Sequence, residues 1–324
     1  MRTKEELSVL VEDYIKHIVF PDDPETLYSP IMYSLESGGK RVRPLLALMA
    51  ANIFSDTPES ALPCGVALEI FHNFTLLHDD IMDNASVRRG KPSVHRKWGS
   101  NVAILSGDAM MIYSYKILEQ APASLLPRLL KIFNAISLQV CEGQQYDMNF
   151  EGLEDVSIAE YLEMIRLKTA VLMSGGCLMG ALCGGASEEE CALLERFGTE
   201  LGLAFQIQDD ILDNYGSEEI LGKKIGGDIM EGKKTFLTIS AMNAADEHTR
   251  IRLAGLLHNR EMIREEKIGL VLEIFEKLGT RQVAEKAVAF YTKQAIDALD
   301  SLGISPGRTE QIRELAYELT KRIN

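Results

Sequence analysis

Apolar residues recur every three or four positions along most of the chain, which is the period of an α-helix. Runs of strict alternation, the pattern of half-buried strands, are scarce. Two clear helical stretches are Leu7, Leu10, Val11, Tyr14 and Ile15, and then Leu129, Ile132, Phe133, Ile136 and Val140. The pattern predicts long helices over about 64–84, 101–119, 124–148, 157–186 and 188–215, and loops at 85–100 and 216–234. No glycine-rich turn joins a strand pattern to a helix pattern, so we expect an all-α fold.

Local signals mark several helix starts and suggest a single domain. Thr57-Pro58 combines an N-cap residue with proline at the first helical position. Ser157 with Glu160, and Ser187 with Glu190, are spaced as capping boxes. The chain has only 10 prolines and no Gly/Ser-rich or charge-block linker. We therefore expect one domain over residues 1–324.

One uncharged stretch, residues 169–187, could be a membrane span or a buried helix. Gly176, Gly180 and Gly184 are spaced four apart, which lets helices approach closely in membranes and in protein cores. The flanking helical patterns are strongly amphipathic, and the mean hydropathy of the chain is −0.03. These features favour a core helix, so we expect no transmembrane segment.

Composition and charge exclude several classes of protein. Hydrophobic residues make up 46% of the 324 residues and charged residues 25%, which excludes a disordered chain. Lys and Arg total 34 against 48 Asp and Glu, giving a net charge of −14. Such a chain repels polyanions at long range, so we expect no nucleic-acid partner.

The cysteines and the amino-terminal residues predict a cytoplasmic location. The five cysteines are odd in number and form no CxxC pair, so we expect buried thiols in a reducing compartment, without disulfides or a zinc site. The first residues lack an apolar signal core, and early acidic residues are atypical of a transit peptide. The cysteines are Cys64, Cys141, Cys177, Cys183 and Cys191.

Two matching acidic segments are the strongest chemical signal. Asp79–Asn84 and Asp209–Asn214 agree at five of six positions although 130 residues separate them. On a helix, the first and last Asp of each segment share one face, where like charges repel. Both segments follow apolar helical stretches, so a cation should offset the cost. Carboxylate oxygens suit Mg²⁺, which commonly shares its coordination with substrate phosphates.

Other ligand sites fail on spacing. An EF-hand loop would need oxygen ligands where Ile211 and Leu212 stand, and the six histidines form no HExxH motif. Gly227, Gly232 and Lys233 satisfy GxxxxGK, but Lys234 replaces the Ser or Thr that a P-loop requires. A P-loop kinase is therefore excluded.

Basic loops accompany the acidic segments. One is Gly38-Gly39-Lys40-Arg41-Val42-Arg43-Pro44, and a second is Arg88-Arg89-Gly90-Lys91. A third group comprises Lys223, Lys224, Lys233 and Lys234. Each alone could be a solvated loop. Together with two metal sites, they predict diphosphate binding between Mg²⁺ and Arg or Lys.

With these motifs the chain resembles the trans-isoprenyl diphosphate synthases, the polyprenyl synthetase family that includes farnesyl and geranylgeranyl diphosphate synthases. The resemblance implies a single large helical bundle around a central cavity, the isoprenoid synthase type of fold, and a homodimer. The matches run in family order from residue 38 to about 234. They are GGKRVRP, His72, DDIMD, RRGKP, Lys168-Thr169, Gln206 before DDILD, and Lys223 before Gly226-Gly227-Asp228.

The resemblance also assigns roles to matching residues, with three Mg²⁺ ions in each active site. Isopentenyl diphosphate would be held by Lys40, Arg43, His72 and Arg89. The allylic diphosphate would be held by Arg88, Lys168, Thr169, Gln206, Lys223 and Lys233. Asp79, Asp83 and Asp209 would ligate Mg²⁺, supported by Asp80, Asp210 and Asp213. Asp79, Asp80, Asp83, Asp209 and Lys168 would be the catalytic residues. For Lys168 the residue pattern alone also allows a lysine extending to solvent from a helix edge.

The implied reaction is a head-to-tail condensation. The allylic diphosphate leaves as an anion, and Mg²⁺ with the basic residues stabilises the growing charge. The double bond of isopentenyl diphosphate then attacks the allyl cation, and a proton is lost. In the family the departed diphosphate accepts that proton. The carboxy-terminal basic tail of the family is reduced here to Lys321-Arg322-Ile323-Asn324, which leaves closure of the site by the tail open.

Two alternatives belong to different classes. A terpene cyclase is also all-α and begins with a DDxxD motif, but its second metal motif would need Glu where Leu221 stands. A non-catalytic synthase subunit generally lacks an aspartate motif or the basic loop, and this chain keeps them all.

Phe74 and Thr75 are candidate determinants of product length. In the resembled family a large residue five positions before the first motif closes the product tunnel. Phe74 occupies that position, about 7.5 Å along the helix from Asp79. With only one aromatic residue of the pair and no insertion in the motif, we expect the twenty-carbon product, geranylgeranyl diphosphate. Farnesyl or longer polyprenyl diphosphates are the alternatives, and Phe74 could also be an ordinary core residue.

Overall fold

The structure, a computed structural model, describes residues 1–153, 155–216 and 225–321. Helices dominate these residues, as the apolar spacing predicts. The first ten helices are α1 (Lys4–Lys16), α2 (Glu25–Glu36), α3 (Val42–Phe54), α4 (Leu62–Met82), α5 (Val94–Trp98), α6 (Ser100–Leu118), α7 (Leu126–Glu151), α8 (Ile158–Ile165), α9 (Val171–Gly184) and α10 (Glu188–Tyr215). Six more helices are Gly227–Glu231, Phe236–Ala244, Glu247–His258, Arg264–Leu278, Thr280–Asp300 and Pro306–Thr320.

The predicted loop at 85–100 is wrong in part, because it contains regular structure. Val87–Arg88 (β1) pairs antiparallel with Lys91–Pro92 (β2), and α5 follows. Strands of two residues are too short to produce a visible alternation of apolar and polar positions. The predicted loop at 216–234 contains the short helix Gly227–Glu231, while residues 217–224 lie outside the described part.

The predicted helix over 157–186 is also interrupted. It consists of α8, a π-helical turn at Arg166–Ala170, and α9. Single π-turns within α-helices often occur at functional sites.

The local signals for helix starts have mixed outcomes. Both capping boxes are confirmed: Glu160 N donates to Ser157 Oγ at 3.2 Å, and Glu190 N donates to Ser187 Oγ at 3.3 Å. The helix start predicted at Thr57-Pro58 is confirmed in position, with Thr57 as the N-cap residue of a 3₁₀ turn at Pro58–Ala61 that precedes α4, but the Thr57 side chain makes no capping hydrogen bond. The expected burial of the cysteines is confirmed for Cys64, Cys177 and Cys191 but is wrong for Cys141, which is exposed, and for Cys183, which is half-buried.

The chain divides into two compact units. Unit 1 contains residues 1–138, 172–198 and 298–314, and unit 2 contains residues 139–171, 199–297 and 315–324. The prediction of a single domain stays a prediction.

In unit 1, α9 packs against the backbone of α3. A Cβ atom at Gly180 would lie 2.0 Å from the carbonyl oxygen of Ala47, and one at Gly184 would lie 2.7 Å from that of Ala51. Only glycine permits this approach. The glycines predicted to allow close helix packing do so here.

In unit 2, an apolar core surrounds the second half of α10. Ile207 and Ile211 of α10 are fully buried among Leu237, Val271 and Phe275 from later helices. This packing fixes the helix face that carries the second acidic segment.

Two apolar segments are long enough to span a bilayer, Pro58–Met82 and Ile158–Gly184, with mean hydropathies of 1.2 and 1.4 over their most apolar windows. In each window, 72% of the residues are buried inside the protein. This burial is typical of core helices.

Candidate active site

The first aspartate cluster, Asp79, Asp80 and Asp83, lies at the carboxyl end of α4 in unit 1. Asp80 is 2% exposed, and Arg88 donates from Nε to Asp80 Oδ1 at 2.7 Å. Arg88 Nη2 also lies 3.7 Å from Asp79 Oδ2. Burial raises the pKa of Asp80, partly offset by the positive charge of Arg88. The most buried aspartate is thus tied to a cation, while Asp79 and Asp83 are half-buried.

The hairpin that carries Arg88 and Arg89 brings both to this end of α4. Arg89 adopts a positive φ of 51°, and its guanidinium donates to the carbonyl oxygen of Gly38. At Gly39, a Cβ atom would lie 2.9 Å from Arg89 Cζ. Gly39 of the first basic loop therefore leaves room for Arg89 of the second loop, and the two sequence-distant loops are in contact.

A buried ion pair holds the first basic loop at the start of α3. Arg41, 7% exposed, donates from Nη1 to Glu69 Oε1 at 3.0 Å and also to the carbonyl oxygen of Leu35. Glu69 is 2% exposed and accepts from Asn73 at 3.3 Å. Arg41 is thus a structural member of the loop, flanked by the exposed Lys40 and the half-buried Arg43.

His72 on α4 lies within the field of these arginines. Burial lowers the pKa of His72 well below its usual value, and the charges of Arg43, Arg89, Arg88 and Arg41 lower it further. Burial also lowers the pKa of Arg89, a shift that nearby carboxylates oppose. The structure therefore gathers Arg43, His72, Arg88 and Arg89 into one electropositive region beside the first aspartate cluster.

The second aspartate cluster, Asp209, Asp210 and Asp213, lies near the carboxyl end of α10 in unit 2. Asp210 is 4% exposed and accepts hydrogen bonds from Tyr161 OH, from Gln206 Nε2 at 3.2 Å and from Phe236 N at 3.1 Å. Burial raises the pKa of Asp210 to about 6, and these hydrogen bonds oppose the shift. Asp209 is half-buried.

Asp213, one turn later, is 1% exposed and anchors the next segment. Its Oδ2 accepts from the backbone N–H of Asp228 at 3.0 Å. Lys233 follows this segment, and its Nζ lies 3.1 Å from Glu231 Oε2. Lys223, predicted to bind the allylic diphosphate, lies outside the described residues.

Lys168 and Thr169 belong to the π-turn that separates α8 from α9. Lys168 Nζ donates to Asp147 Oδ2 at 2.7 Å, so an ion pair replaces the simple solvent exposure considered for this lysine. Thr169 Oγ1 donates to Gln206 Oε1 at 2.9 Å, and Gln206 in turn contacts Asp210. A Cβ atom at Gly143 would lie 2.3 Å from Lys168 N, so glycine is needed for α7 to approach the turn.

Phe74 and Thr75 lie on α4, between the first aspartate cluster and the amino end of the helix. Phe74 is 9% exposed, and its ring centroid is 5.3 Å from that of Phe71 and 4.8 Å from that of His78. Phe71 continues the series to Phe133 at 5.7 Å. Thr75 Oγ1 donates to the carbonyl oxygen of His72, so its hydroxyl is used within the helix.

The described residues contain no group of three His, Cys, Asp or Glu side chains arranged to hold a metal ion. Each cluster instead combines deeply buried aspartates held by hydrogen bonds, Asp80 in the first and Asp210 with Asp213 in the second, with a less buried neighbour, Asp79 or Asp209. Such clusters fit an ion that takes its remaining ligands from water and phosphate oxygens, as Mg²⁺ commonly does.

Several site residues were not predicted from the sequence. Asp147 pairs with Lys168, Tyr161 bonds Asp210, and Glu69 holds Arg41. These partners are 21, 49 and 28 residues apart, so no local spacing could reveal them. Of these three, only Glu69 could have been suspected from the sequence. It is the one carboxylate in the apolar stretch Val66–Phe71, and a buried carboxylate needs a partner.

Two surface cavities are lined by residues outside the aspartate clusters and outside the first two basic loops. A cavity of about 360 Å³ in unit 2 is bordered by Ser157, Glu160, Lys234 and Arg250. A cavity of about 480 Å³ in unit 1 is bordered by Tyr14, His17, Tyr113 and Lys116. The central cavity implied by the family resemblance stays a prediction.

Comparison with known sequences identifies similar proteins over nearly the whole chain. The profile described as polyprenyl synthetase matches residues 24–275. The short chain isoprenyl diphosphate synthase of Methanothermobacter thermautotrophicus is 37% identical over 302 residues, covering 93% of this chain and 92% of that protein. The geranylgeranyl diphosphate synthase of Methanosarcina mazei is 38% identical over 301 residues, covering 92% and 90%.

Comparison with solved structures gives the same picture. A crystal structure of geranylgeranyl pyrophosphate synthase is 41% identical in sequence and superposes with a TM-score of 0.94, covering 100% of both chains.

Proposed function

The chain belongs to the polyprenyl synthetase family, and on that premise we propose that it condenses isopentenyl diphosphate with an allylic diphosphate to give geranylgeranyl diphosphate. It is a prenyltransferase of the isoprenyl diphosphate synthase class. The observation that carries the proposal is the contact of both basic loops with each other beside the first aspartate cluster. This arrangement suits a diphosphate together with a cation.

We propose that Lys40, Arg43, His72 and Arg89 bind the diphosphate of isopentenyl diphosphate. The lowered pKa keeps His72 neutral, so it supplies one hydrogen bond without adding charge to the crowded arginines. Arginine side chains present paired donors that match phosphate oxygens. Gly39 leaves room for Arg89, which donates to the carbonyl oxygen of Gly38 and therefore lies against the loop that carries Lys40.

The allylic diphosphate is assigned to Arg88, Lys168, Thr169, Gln206, Lys223 and Lys233. Arg88 and Lys168 already pair with carboxylates, Asp80 and Asp147, which hold the cationic groups in place before substrate binds. Thr169 and Gln206 are joined by a hydrogen bond that orients both.

Asp79, Asp83 and Asp209 are the proposed Mg²⁺ ligands, with Asp80, Asp210 and Asp213 in support and three ions in each active site. Mg²⁺ held by these carboxylates would supply positive charge to offset the charge that develops on the leaving diphosphate. The hydrogen bonds from Arg88 to Asp80, and from Tyr161 and Phe236 to Asp210, fix the helix ends on which the ligands stand.

The reaction needs charge stabilisation more than a protein base. As the allylic carbon–oxygen bond breaks, Arg88 and Lys168 stabilise the departing diphosphate. The allyl cation is attacked by the double bond of isopentenyl diphosphate, and the released diphosphate accepts the proton lost from the new product. No Glu or His of this chain is assigned as the base.

A product assay tests the proposal directly. Purified full-length protein is incubated with Mg²⁺, isopentenyl diphosphate and allylic diphosphates of five, ten or fifteen carbons. We expect chain extension that stops at twenty carbons and that EDTA abolishes. Extension stopping at fifteen carbons, or continuing well beyond twenty, would contradict the proposed product but not the enzyme class.

The same assay separates the other classes. A cyclised hydrocarbon formed without consumption of isopentenyl diphosphate would indicate a terpene cyclase. Turnover that appears only when a second protein is added would indicate a non-catalytic subunit.

The proposed homodimer predicts a mass in light scattering of twice the 36.0 kDa chain.

A further inference from the structure

Two cysteines from distant parts of unit 1 are in contact. Cys64 lies in the first turn of α4 and is fully buried, and Cys183 lies in the last turn of α9 and is half-buried. Their sulfur atoms are 3.7 Å apart although 119 residues separate them. Both are free thiols, and the condensation reaction uses neither.

Close backbone packing holds this pair together. At Gly65, next to Cys64, a Cβ atom would lie 2.7 Å from Pro44 Cα of α3. At Gly184, next to Cys183, it would lie 2.7 Å from Ala51 O of the same helix. Because α4 and α9 both pack at glycine distance on α3, the backbone positions of the two cysteines are fixed, and only side-chain rotation changes the distance between their sulfur atoms.

A further contact fixes the end of α9. Ser60 Oγ, just before α4, donates to the carbonyl oxygen of Cys183 at 3.1 Å. The backbone of Cys183 is therefore tied to the segment that leads into Cys64. A disulfide needs the sulfurs to close to about 2 Å, a movement that side-chain rotation supplies in part.

The two thiols differ in reactivity. The hydrogen bond with Cys183, and burial, raise the pKa of Cys64, whereas the same hydrogen bond lowers the pKa of Cys183. Cys183 is also the more exposed of the two, so an oxidant reaches it first, and the fully buried Cys64 lies in position to act as the resolving thiol.

We propose that Cys64 and Cys183 form a reversible intrachain disulfide when the protein meets a peroxide oxidant. The Cys183 thiolate attacks one peroxide oxygen and becomes a sulfenic acid, releasing hydroxide, which takes up a proton to become water. The Cys64 sulfur then attacks the Cys183 sulfur, and a second water leaves. Two thiols lose two hydrogens and two electrons in total, and the peroxide is reduced to two waters.

The disulfide is expected to stabilise the fold without changing turnover. Cys64 lies fifteen residues before Asp79 on α4, a distance of about 22 Å at the rise of an α-helix, so the disulfide is remote from the first aspartate cluster. Closing a loop of more than 100 residues restricts the unfolded chain, so the Tm should rise by several degrees.

Full-length wild-type protein treated with hydrogen peroxide tests this inference. Thiols are counted by alkylation after denaturation, and a non-reducing peptide map locates any disulfide. We expect two of the five thiols to become blocked, one peptide pair linking Cys64 to Cys183, and a higher Tm that dithiothreitol reverses.

Two variants serve as controls. Cys183→Ser should show no rise in Tm and no blocked pair, whereas Cys141→Ser, which removes an exposed thiol outside the pair, should behave as wild type. In Cys64→Ser, the oxidised Cys183 has no resolving thiol and should proceed to sulfinic acid. The inference is overturned if Cys64 and Cys183 both remain alkylatable in peroxide-treated wild type, or if Cys183 links only to another chain. The wild-type peptide map decides this even if a variant fails to fold.

Discussion

Single residues in the candidate site have protonation states that their neighbours determine. His72 is half-buried and lies close to four arginines, and both its partial burial and their positive charge disfavour the imidazolium form, so its pKa falls. At Asp80 the two effects oppose each other. Burial raises its pKa, whereas the charge of Arg88 and its hydrogen bond to Asp80 lower it, and burial has the larger effect. The sequence shows which residues are present, but these pKa shifts depend on distances between α4, the β1–β2 hairpin and the first basic loop, which the sequence does not give.

The lowered pKa of His72 predicts a dependence of stability on pH. The unfolded chain protonates this histidine below about pH 6.5, before the folded protein does, so protonation favours unfolding as the pH falls. We expect the free energy of unfolding to fall more steeply from pH 7 to pH 5 in wild type than in His72→Gln. Urea denaturation without substrate or metal measures it, and the exposed His248→Gln controls for loss of an imidazole. Equal slopes in wild type and His72→Gln would contradict the expectation.

Phe74 is expected to set the product length. Its ring is packed between Phe71 and His78, so removing it opens space beside α4 between these two rings. We expect Phe74→Ala to make longer products, measured by chromatography of the dephosphorylated products. The matched control is Phe290→Ala, because that ring is 56% exposed. An unchanged distribution in Phe74→Ala would place the tunnel floor elsewhere, at Phe71 or on α6, which carries Met111 and Tyr115.

At the scale of elements, glycines decide how closely helices approach. Gly180 lets α9 pack on the backbone of α3, and Gly143 lets α7 pack on the π-turn that presents Lys168. The spacing of the glycines in α9 was visible in the sequence and predicted close packing. The need for glycine at position 143 was not visible in the sequence, because a single glycine in a helix does not indicate which segment packs against it.

Gly180→Ala and Gly255→Ala should have opposite effects on stability. Alanine in a helix normally stabilises by about 0.5–1 kcal/mol relative to glycine. Gly255 is exposed in the helix Glu247–His258, and a Cβ atom there would have no neighbour within 4 Å, so this variant should show the gain. A Cβ atom at Gly180 would meet a carbonyl oxygen 2.0 Å away, so overpacking should reverse the sign and cost about 1–3 kcal/mol. Urea denaturation of both variants measures this, and a gain at Gly180 would show that the helices separate freely.

Over the whole molecule, the two aspartate clusters belong to different compact units, one to each. The sequence repeat predicts that both bind Mg²⁺ in the same reaction. Within each unit the structure contributes the partners that hold the cluster: Arg88 in the first, and Tyr161 with Gln206 in the second.

Single and double substitutions test whether both clusters act together. We expect Asp79→Ala and Asp209→Ala each to lower kcat by several orders of magnitude, because each removes transition-state stabilisation. The double variant should lose little more than the worse single variant, since groups that act as a unit are non-additive. Steady-state kinetics with saturating Mg²⁺ measures the losses, and circular dichroism checks that the fold is intact.

The exposed Asp22→Ala is the matched control and should keep wild-type turnover. Near wild-type turnover in either single variant would contradict the two-cluster proposal. Losses that multiply in the double variant would show that the clusters contribute independently.

The sequence by itself determined the helical fold class, the main helix bounds, both capping boxes and the chemistry of the acidic and basic motifs. Each of these depends on residues within one or two helical turns, where the 3.6-residue period and the spacing of charges are directly legible. Tertiary structure decided the rest: the hairpin that brings Arg89 to Gly38, the π-turn at Lys168, and the bonds from Tyr161 to Asp210 and from Glu69 to Arg41. Except for the π-turn, those features join residues far apart in the chain. They form because a buried polar group is costly unless it finds a hydrogen-bond partner, and only the tertiary fold determines which partner is within reach.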